Sequence, residues 1–238
     1  MNLFKYSDQL MKGLYMILKL TGIWWLFNLP YVFLGVNLLG APDVTIVHTM
    51  VIVGIVLLPF VAVPTTVATL ALARRYVKGD DGFPFLKIFW NYYKREYVKS
   101  MVLGCLNATA LIVFYLSLRY YSGLSSLLAI VFYVLVIVTP FFFLFVYSFL
   151  VDQELPLKAY LTNAMYLLFL HPLNTVLMIL DAVVAAYIMW MVFPAFLLFI
   201  LPGLIALIVT YFYQKSMGNE IKKRKPVHNL NANSLKGS

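Results

Sequence analysis

Apolar positions in this chain fall in long unbroken runs, with little of the alternation that marks a half-buried strand. Six runs stand out, at residues 20–40, 45–72, 101–118, 124–151, 172–191 and 193–213. Each reaches the roughly 17 to 25 residues that an apolar helix needs to cross a bilayer. Short turns join the first to the second, the third to the fourth and the fifth to the sixth, so the spans pair as hairpins. The longer connections carry a different pattern. Set at about 100° per residue, residues 85–99 place Phe85, Leu86, Phe89, Trp90, Tyr92, Tyr93 and Tyr97 on one arc. Lys87, Asn91, Lys94, Arg95 and Lys99 fall on the opposite arc, Ile88 and Val98 interrupt it, and Glu96 sits on the apolar side. This is the pattern of an amphipathic helix lying in the membrane interface, where Trp and Tyr keep one end apolar and the other wet. Residues 82–100 and 154–172 share a Pro (Pro84, Pro156) followed by a Lys (Lys87, Lys158), a thin repeat that predicts a second such helix.

The fold class that follows is all-α: a polytopic membrane bundle of about six transmembrane helices with two cytoplasmic interfacial helices. Residues 1–214 form the membrane domain, and 215–238 read as a basic, disordered tail.

Composition supports the membrane assignment. The 238 residues are 63% hydrophobic and 11% charged, with mean hydropathy +0.89. A soluble domain of this size has no core large enough to hide that surface. The net charge of +9 would suggest nucleic acid in a soluble protein, but membrane topology accounts for it. With the N-terminus inside, every Lys and Arg except Arg119 falls in an inner segment: Lys5, Lys12 and Lys19, the cluster from Arg74 to Lys99, Lys158, and those from Lys215 onward. The expectation is a multi-pass protein of the cytoplasmic membrane with both termini cytoplasmic. A five-span path would split the Arg74 and Lys222 clusters across the membrane. The first apolar run outlasts a signal-peptide core and reads as a retained anchor. The single cysteine, Cys105, reads as a small buried thiol.

Candidate chemistry is sparse. Asp181 lies near the middle of the fifth span, at a depth where a charge costs about 3 kcal/mol on insertion scales. Asn28, Asn107, Thr109 and Asn174 are its candidate partners, since no intramembrane Lys or Arg is at hand. Two readings stand: a polar group on a functional path, or a neutral Asp hydrogen-bonded between helices. Pro30, Pro59, Pro64, Pro140 and Pro202 sit within spans, where each removes a helical hydrogen bond. They either line a cavity or reflect the ordinary frequency of Pro in membrane helices. His48 and His171 lack metal-ligand spacing and read as interfacial structural groups. Asp80 and Asp81 lie in a turn and read as solvated. Lys222, Lys223, Arg224 and Lys225 suit anionic lipid headgroups, at about 1 kcal/mol each, or act as a topology signal. No HExxH, GxSxG or phosphate-binding loop is present. An enzyme, a metal and a cofactor are therefore not expected.

Four stretches carry a resemblance: LTGIWWLFNLP, VPTTVATLALARRYVKG, FPFLKIFWNYYKREYVKS and LPGLIALIVTYF. Together they resemble the YesL family of bacterial membrane proteins, whose domain is of unknown function. The resemblance implies a small multispan protein of the bacterial cytoplasmic membrane. Family members are often encoded beside carbohydrate-uptake and polysaccharide-degradation genes. The implied role is an accessory or regulatory membrane component of carbohydrate uptake, with membrane lipid and an ABC sugar permease as partners and no nucleic acid. Lys87, Trp90, Lys94, Arg95 and Lys99 would offer the partner a surface. The alternative is a small secondary transporter with a cavity around Asp181.

Overall fold

The structure, a computed structural model, describes residues 3–40, 43–80, 82–193 and 195–234; the side chains of 3–6, 9, 39, 195, 198 and 223–234 fall outside that description. Among the described residues all regular structure is helical. The elements are α1 (Leu3–Phe27), α2 (Leu29–Leu39), α3 (Val44–Leu57), a π-helical turn (Leu58–Ala62), α4 (Val63–Val77), α5 (Phe85–Tyr121), α6 (Ser126–Asp152), α7 (Leu157–Leu170), α8 (Pro172–Val192), α9 (Ala195–Phe199) and α10 (Leu201–Ser234).

Prolines shape the spans. The first expected span bends at Asn28 and becomes α1 and α2, with Pro30 in the first turn of α2. The backbone stays paired through the bend, because the Asn28 N–H reaches the carbonyls of Trp24 and Trp25 at 3.0 and 3.1 Å. In the second span, Pro59 and Pro64 each lack the N–H of a regular helix. The chain widens there by one residue, so that the Val63 N–H reaches back to the Leu58 carbonyl. The Thr65 hydroxyl donates to the Val61 carbonyl at 2.8 Å, at the same place.

Two expectations change. Residues 85–99 are no separate interfacial helix: they continue without a break into the third span as α5, which is 37 residues long. One buried stripe, Phe89, Glu96, Ser100, Leu103, Asn107 and Leu111, runs across the boundary drawn at Lys99 and holds both halves against the same neighbours. The second connection does form its own helix, α7, because Pro172 follows it and His171 leaves the helical region at φ −125°, ψ 57°. The sixth span is broken at Ile200 into α9 and the start of α10, so five helices among the described residues are long and apolar enough to cross a membrane. Thr21 of α1 fills the break, accepting from the Gly203 N–H at 3.0 Å and donating to the Ile200 carbonyl at 3.4 Å. α10 runs from Leu201 to Ser234. Two bonds hold that helix against the start of α8: Asn174 to Ser216 and His171 to Glu220, both 2.9 Å.

The core sits where α1, α4, α5, α6 and α10 meet. Leu20, Leu72, Phe89, Leu103, Val146 and Val209 are fully or almost fully buried there. α4 is the central element because its small residues, Thr65, Ala68, Thr69, Ala71 and Ala73, let neighbours approach closely. Elsewhere the outside is apolar, with Phe33, Leu127 and Leu173 at least 70% exposed. A bilayer supplies the solvent that such a surface needs. Arg74, Asp152, Tyr213, His171 and Glu220 pair at one end of the bundle, with Gly13 of α1 beside the Tyr76 hydroxyl. His48 and Arg119 pair at the other. The early turns of α1 and the Glu220 region of α10 thus share one end.

Two glycines set close approaches. A Cβ at Gly104 would lie 2.7 Å from the Pro59 Cα, and one at Gly203 would lie 2.6 Å from the Thr21 Oγ1. Gly104→Leu and Gly203→Leu are each expected to destabilise the bundle by about 1–3 kcal/mol, read as thermal unfolding in detergent. Gly218→Ala, where a Cβ meets nothing within 4 Å, should leave the midpoint unchanged. Equal midpoints for all three would refute this packing.

Candidate functional site

The densest polar junction ties α4, α6 and α10 together. Arg74 forms an ion pair with Asp152 and donates to the Val151 carbonyl at 3.0 Å. Lys78 reaches the same carboxylate at 3.3 Å, and the Tyr213 hydroxyl donates to its other oxygen at 3.3 Å. Leu70, Ser148 and Thr210 close the space above. Asp152 therefore serves three helices at once, and charge-assisted bonds of this kind are about twice as strong as neutral ones.

Beyond this junction lies a cavity of about 360 Å³ between α1, α4, α6, α9 and α10, lined by Trp24, Trp25, Thr69, Leu144, Pro202 and Ala206 among others. Its polar groups are already engaged. The Trp24 Nε1 donates to the Thr66 hydroxyl at 3.0 Å, and the Thr69 hydroxyl donates to the Thr65 carbonyl at 2.8 Å. What remains is an apolar wall. A sugar path needs free donors and acceptors to replace water, and this lining offers few.

The predicted residues do not converge. Asp181 is exposed on the outer face of α8, flanked by exposed Leu180 and Val184, and forms no hydrogen bond or ion pair with a described residue. Its expected partners lie elsewhere. Asn28 is fully buried at the α1–α2 bend and donates to the Trp24 carbonyl at 2.7 Å. Asn107 donates to the Tyr147 hydroxyl at 2.9 Å and joins α5 to α6. Asn174 bonds Ser216, and Thr109 is exposed. His48 and His171 are structural: His48 pairs with Arg119 and the Val44 carbonyl, His171 with Glu220. Cys105, expected to be buried, is exposed on α5, because the buried stripe passes through Leu103, Gly104 and Asn107 on another side of the helix.

On the first half of α5, Lys87, Trp90, Lys94 and Arg95 are exposed and Lys99 is half-buried. The Lys94 ammonium sits 4.7 Å from the Trp90 ring, and the Arg95 guanidinium 4.7 Å from the Tyr92 ring. Glu96 points inward at 3% exposure, with Arg95 at 2.6 Å and Lys99 at 3.8 Å. Lys222 is exposed; the side chains of Lys223, Arg224 and Lys225 lie outside the described residues.

Comparison with known proteins places this framework. Residues 17–118 match the model of the family described as "Protein of unknown function, DUF624". YesL of Bacillus subtilis (strain 168) is 28% identical over 156 residues, covering 65% of this chain and 74% of YesL. The chain thus resembles YesL along about two thirds of its length. YesV of the same organism is 24% identical over 159 residues, covering 63% of this chain and 73% of YesV. YteU is 37% identical over a shorter stretch of 59 residues, 25% of this chain and 27% of YteU. All three are described as uncharacterized proteins. No solved structure matches. In the YesL-like chain the family segment runs from α1 into α5. It contains the Trp24–Thr66 bond, the Gly104–Pro59 approach and Arg74, while Asp152, Asp181 and Tyr213 lie beyond it.

The junction is what sequence reasoning missed. Arg74 was legible only as a topology signal. The cue was an opposite charge, Asp152, at the end of the fourth span on the same expected side. Asp152→Ala should cost about 1–3 kcal/mol, less than a fully buried pair because both groups keep some exposure. The double variant Arg74→Met, Asp152→Leu should recover most of that loss in detergent unfolding. Additive losses would show that the two groups do not act as a pair.

Proposed function

We propose that this YesL-like chain is a non-enzymatic accessory subunit of a membrane complex, docking sideways through α8. The observation that supports this reading is the position of Asp181. It lies mid-helix in an apolar span, on the outward face, without a partner among the described residues. Left in lipid, such a carboxyl costs about 3 kcal/mol. A neighbouring helix that donates a hydrogen bond or a positive charge removes that cost. α2, α3, α6 and α8 contain no Lys or Arg, so a second copy of the chain supplies no cation on those faces. The partner we propose is a different membrane protein that brings a donor or a cation to this depth.

The partner's class rests on the family resemblance alone: gene neighbourhoods in carbohydrate use point to a sugar permease. The setting is the bacterial cytoplasmic membrane with both termini inside, supported by the basic bias and by the shared end of α1 and α10. The transporter reading, with a cavity around Asp181, draws no support from a residue that faces outward or from the apolar lining of the central cavity.

Photo-crosslinkers at Leu180 and Val184 in native membranes, with Leu127 on α6 as control, test the proposal. A single adduct containing a permease subunit, lost when Asp181→Leu is added, is expected. Lipid adducts alone, or adducts between copies, would overturn it.

A further inference from the structure

α1 carries two adjoining features that the docking role does not use. The first is a pocket of about 290 Å³ lined by Lys12, Tyr15, Lys19, Tyr76, Phe83 and Phe85 among others. The Lys19 ammonium lies 4.1 Å from the Tyr15 ring and 5.7 Å from the Phe85 ring. These rings hold it in place, yet they accept none of its N–H bonds in the way a carboxylate would. The nearby charges are balanced: Lys12 pairs with Asp8 at 2.9 Å, and Arg75, which lies 5.9 Å from the Phe83 ring, pairs with Asp80 at 3.2 Å. Lys19 has no carboxylate partner among the described residues. Among the described residues the pocket is thus an aromatic recess whose unpaired cation is Lys19.

The second feature is a groove of about 580 Å³ between α1, α2 and Phe199, lined by Leu18, Gly22, Trp25, Val32, Gly35 and Val36 among others. The polar groups at its edge are used: Tyr31 donates to the Gly54 carbonyl at 2.6 Å, and Thr21 bonds across the α9–α10 break. A Cβ at Gly22 or Gly35 would meet nothing within 4 Å, so the groove is open along its floor. Lys19 and Gly22 are one turn apart on the same ridge of α1. The groove then runs from there along α2, away from the basic end of the bundle.

We propose that α1 seats one anionic phospholipid, its phosphate on Lys19 between Tyr15 and Phe85 and its acyl chains in the Gly22–Gly35 groove. One cation and two rings suit a phosphodiester whose glycerol lies on an aromatic wall. A free phosphate would need more donors than this recess offers, and it would leave the groove empty. This site is separate from the basic residues at Lys222–Lys225 and from the α8 face.

Native mass spectrometry of the full chain, released from vesicles of equal parts phosphatidylglycerol and phosphatidylcholine, tests this. One retained lipid per chain, mainly phosphatidylglycerol, is expected. Lys19→Ala should lower the preference for phosphatidylglycerol about fivefold while a lipid still binds, and Lys19→Arg should restore it. Gly22→Leu with Gly35→Leu, which add side chains to open space on a helix, should remove retained lipid of both kinds. Lys158→Ala, an exposed cation on α7, should change neither readout. An unchanged lipid ratio in Lys19→Ala, or unchanged retention in the double glycine variant, would overturn the assignment. So would millimolar inorganic phosphate displacing the lipid.

Discussion

Asp152 stands at the end of α6, where it receives Arg74 and Lys78 from α4 and its neighbouring turn, and Tyr213 from α10. In a bilayer the apolar side chains of neighbouring helices gain little by meeting each other rather than lipid. Directional bonds and close backbone approach must therefore select one arrangement. The Asp152 junction fixes the relative height of three helices at one end. The approaches at Gly104–Pro59 and Gly203–Thr21 fix spacing further along. Together these determine which faces turn inward, and hence that the middle of α8 is left facing out.

The same constraint explains the irregular helices. Three of the places where proline or a break removes a backbone bond are repaired by neighbouring groups. The π turn re-pairs Val63 with Leu58, Thr65 reaches Val61, and Thr21 of α1 closes the gap at Ile200. Backbone polarity left open in lipid costs several kcal/mol, so these repairs are conditions for spanning. They also use up the hydroxyls that a polar substrate path would need. The cavity beside α1 and α4 is lined largely by apolar side chains.

Much of the fold was legible because apolar run length is a direct physical requirement of the bilayer. What the runs did not reveal was how helices continue or stop at the membrane edge. The join at Lys99 was invisible because the stripe that carries α5 across it includes the polar residues Glu96 and Ser100, which interrupt the apolar pattern there. The Ile200 break was hidden for the opposite reason: the sequence there is continuously apolar, and the interruption is stabilised by Thr21, 179 residues away. Asp181 was legible as unusual but not in its direction, since periodicity does not say which side of a uniformly apolar helix faces protein. Asp152 was passed over because one acid at a span end looks ordinary until its three partners are seen.

Docking through α8, as proposed, requires that the Asp181 carboxyl face outward from the isolated chain. A spin label at position 181, introduced by Asp181→Cys in a chain whose exposed Cys105 is first replaced by Ala, reads this directly. In purified protein in lipid nanodiscs the label should be as accessible to oxygen as one on Leu127, which is 72% exposed. A label shielded in the nanodisc would place residue 181 inside the bundle and contradict the account.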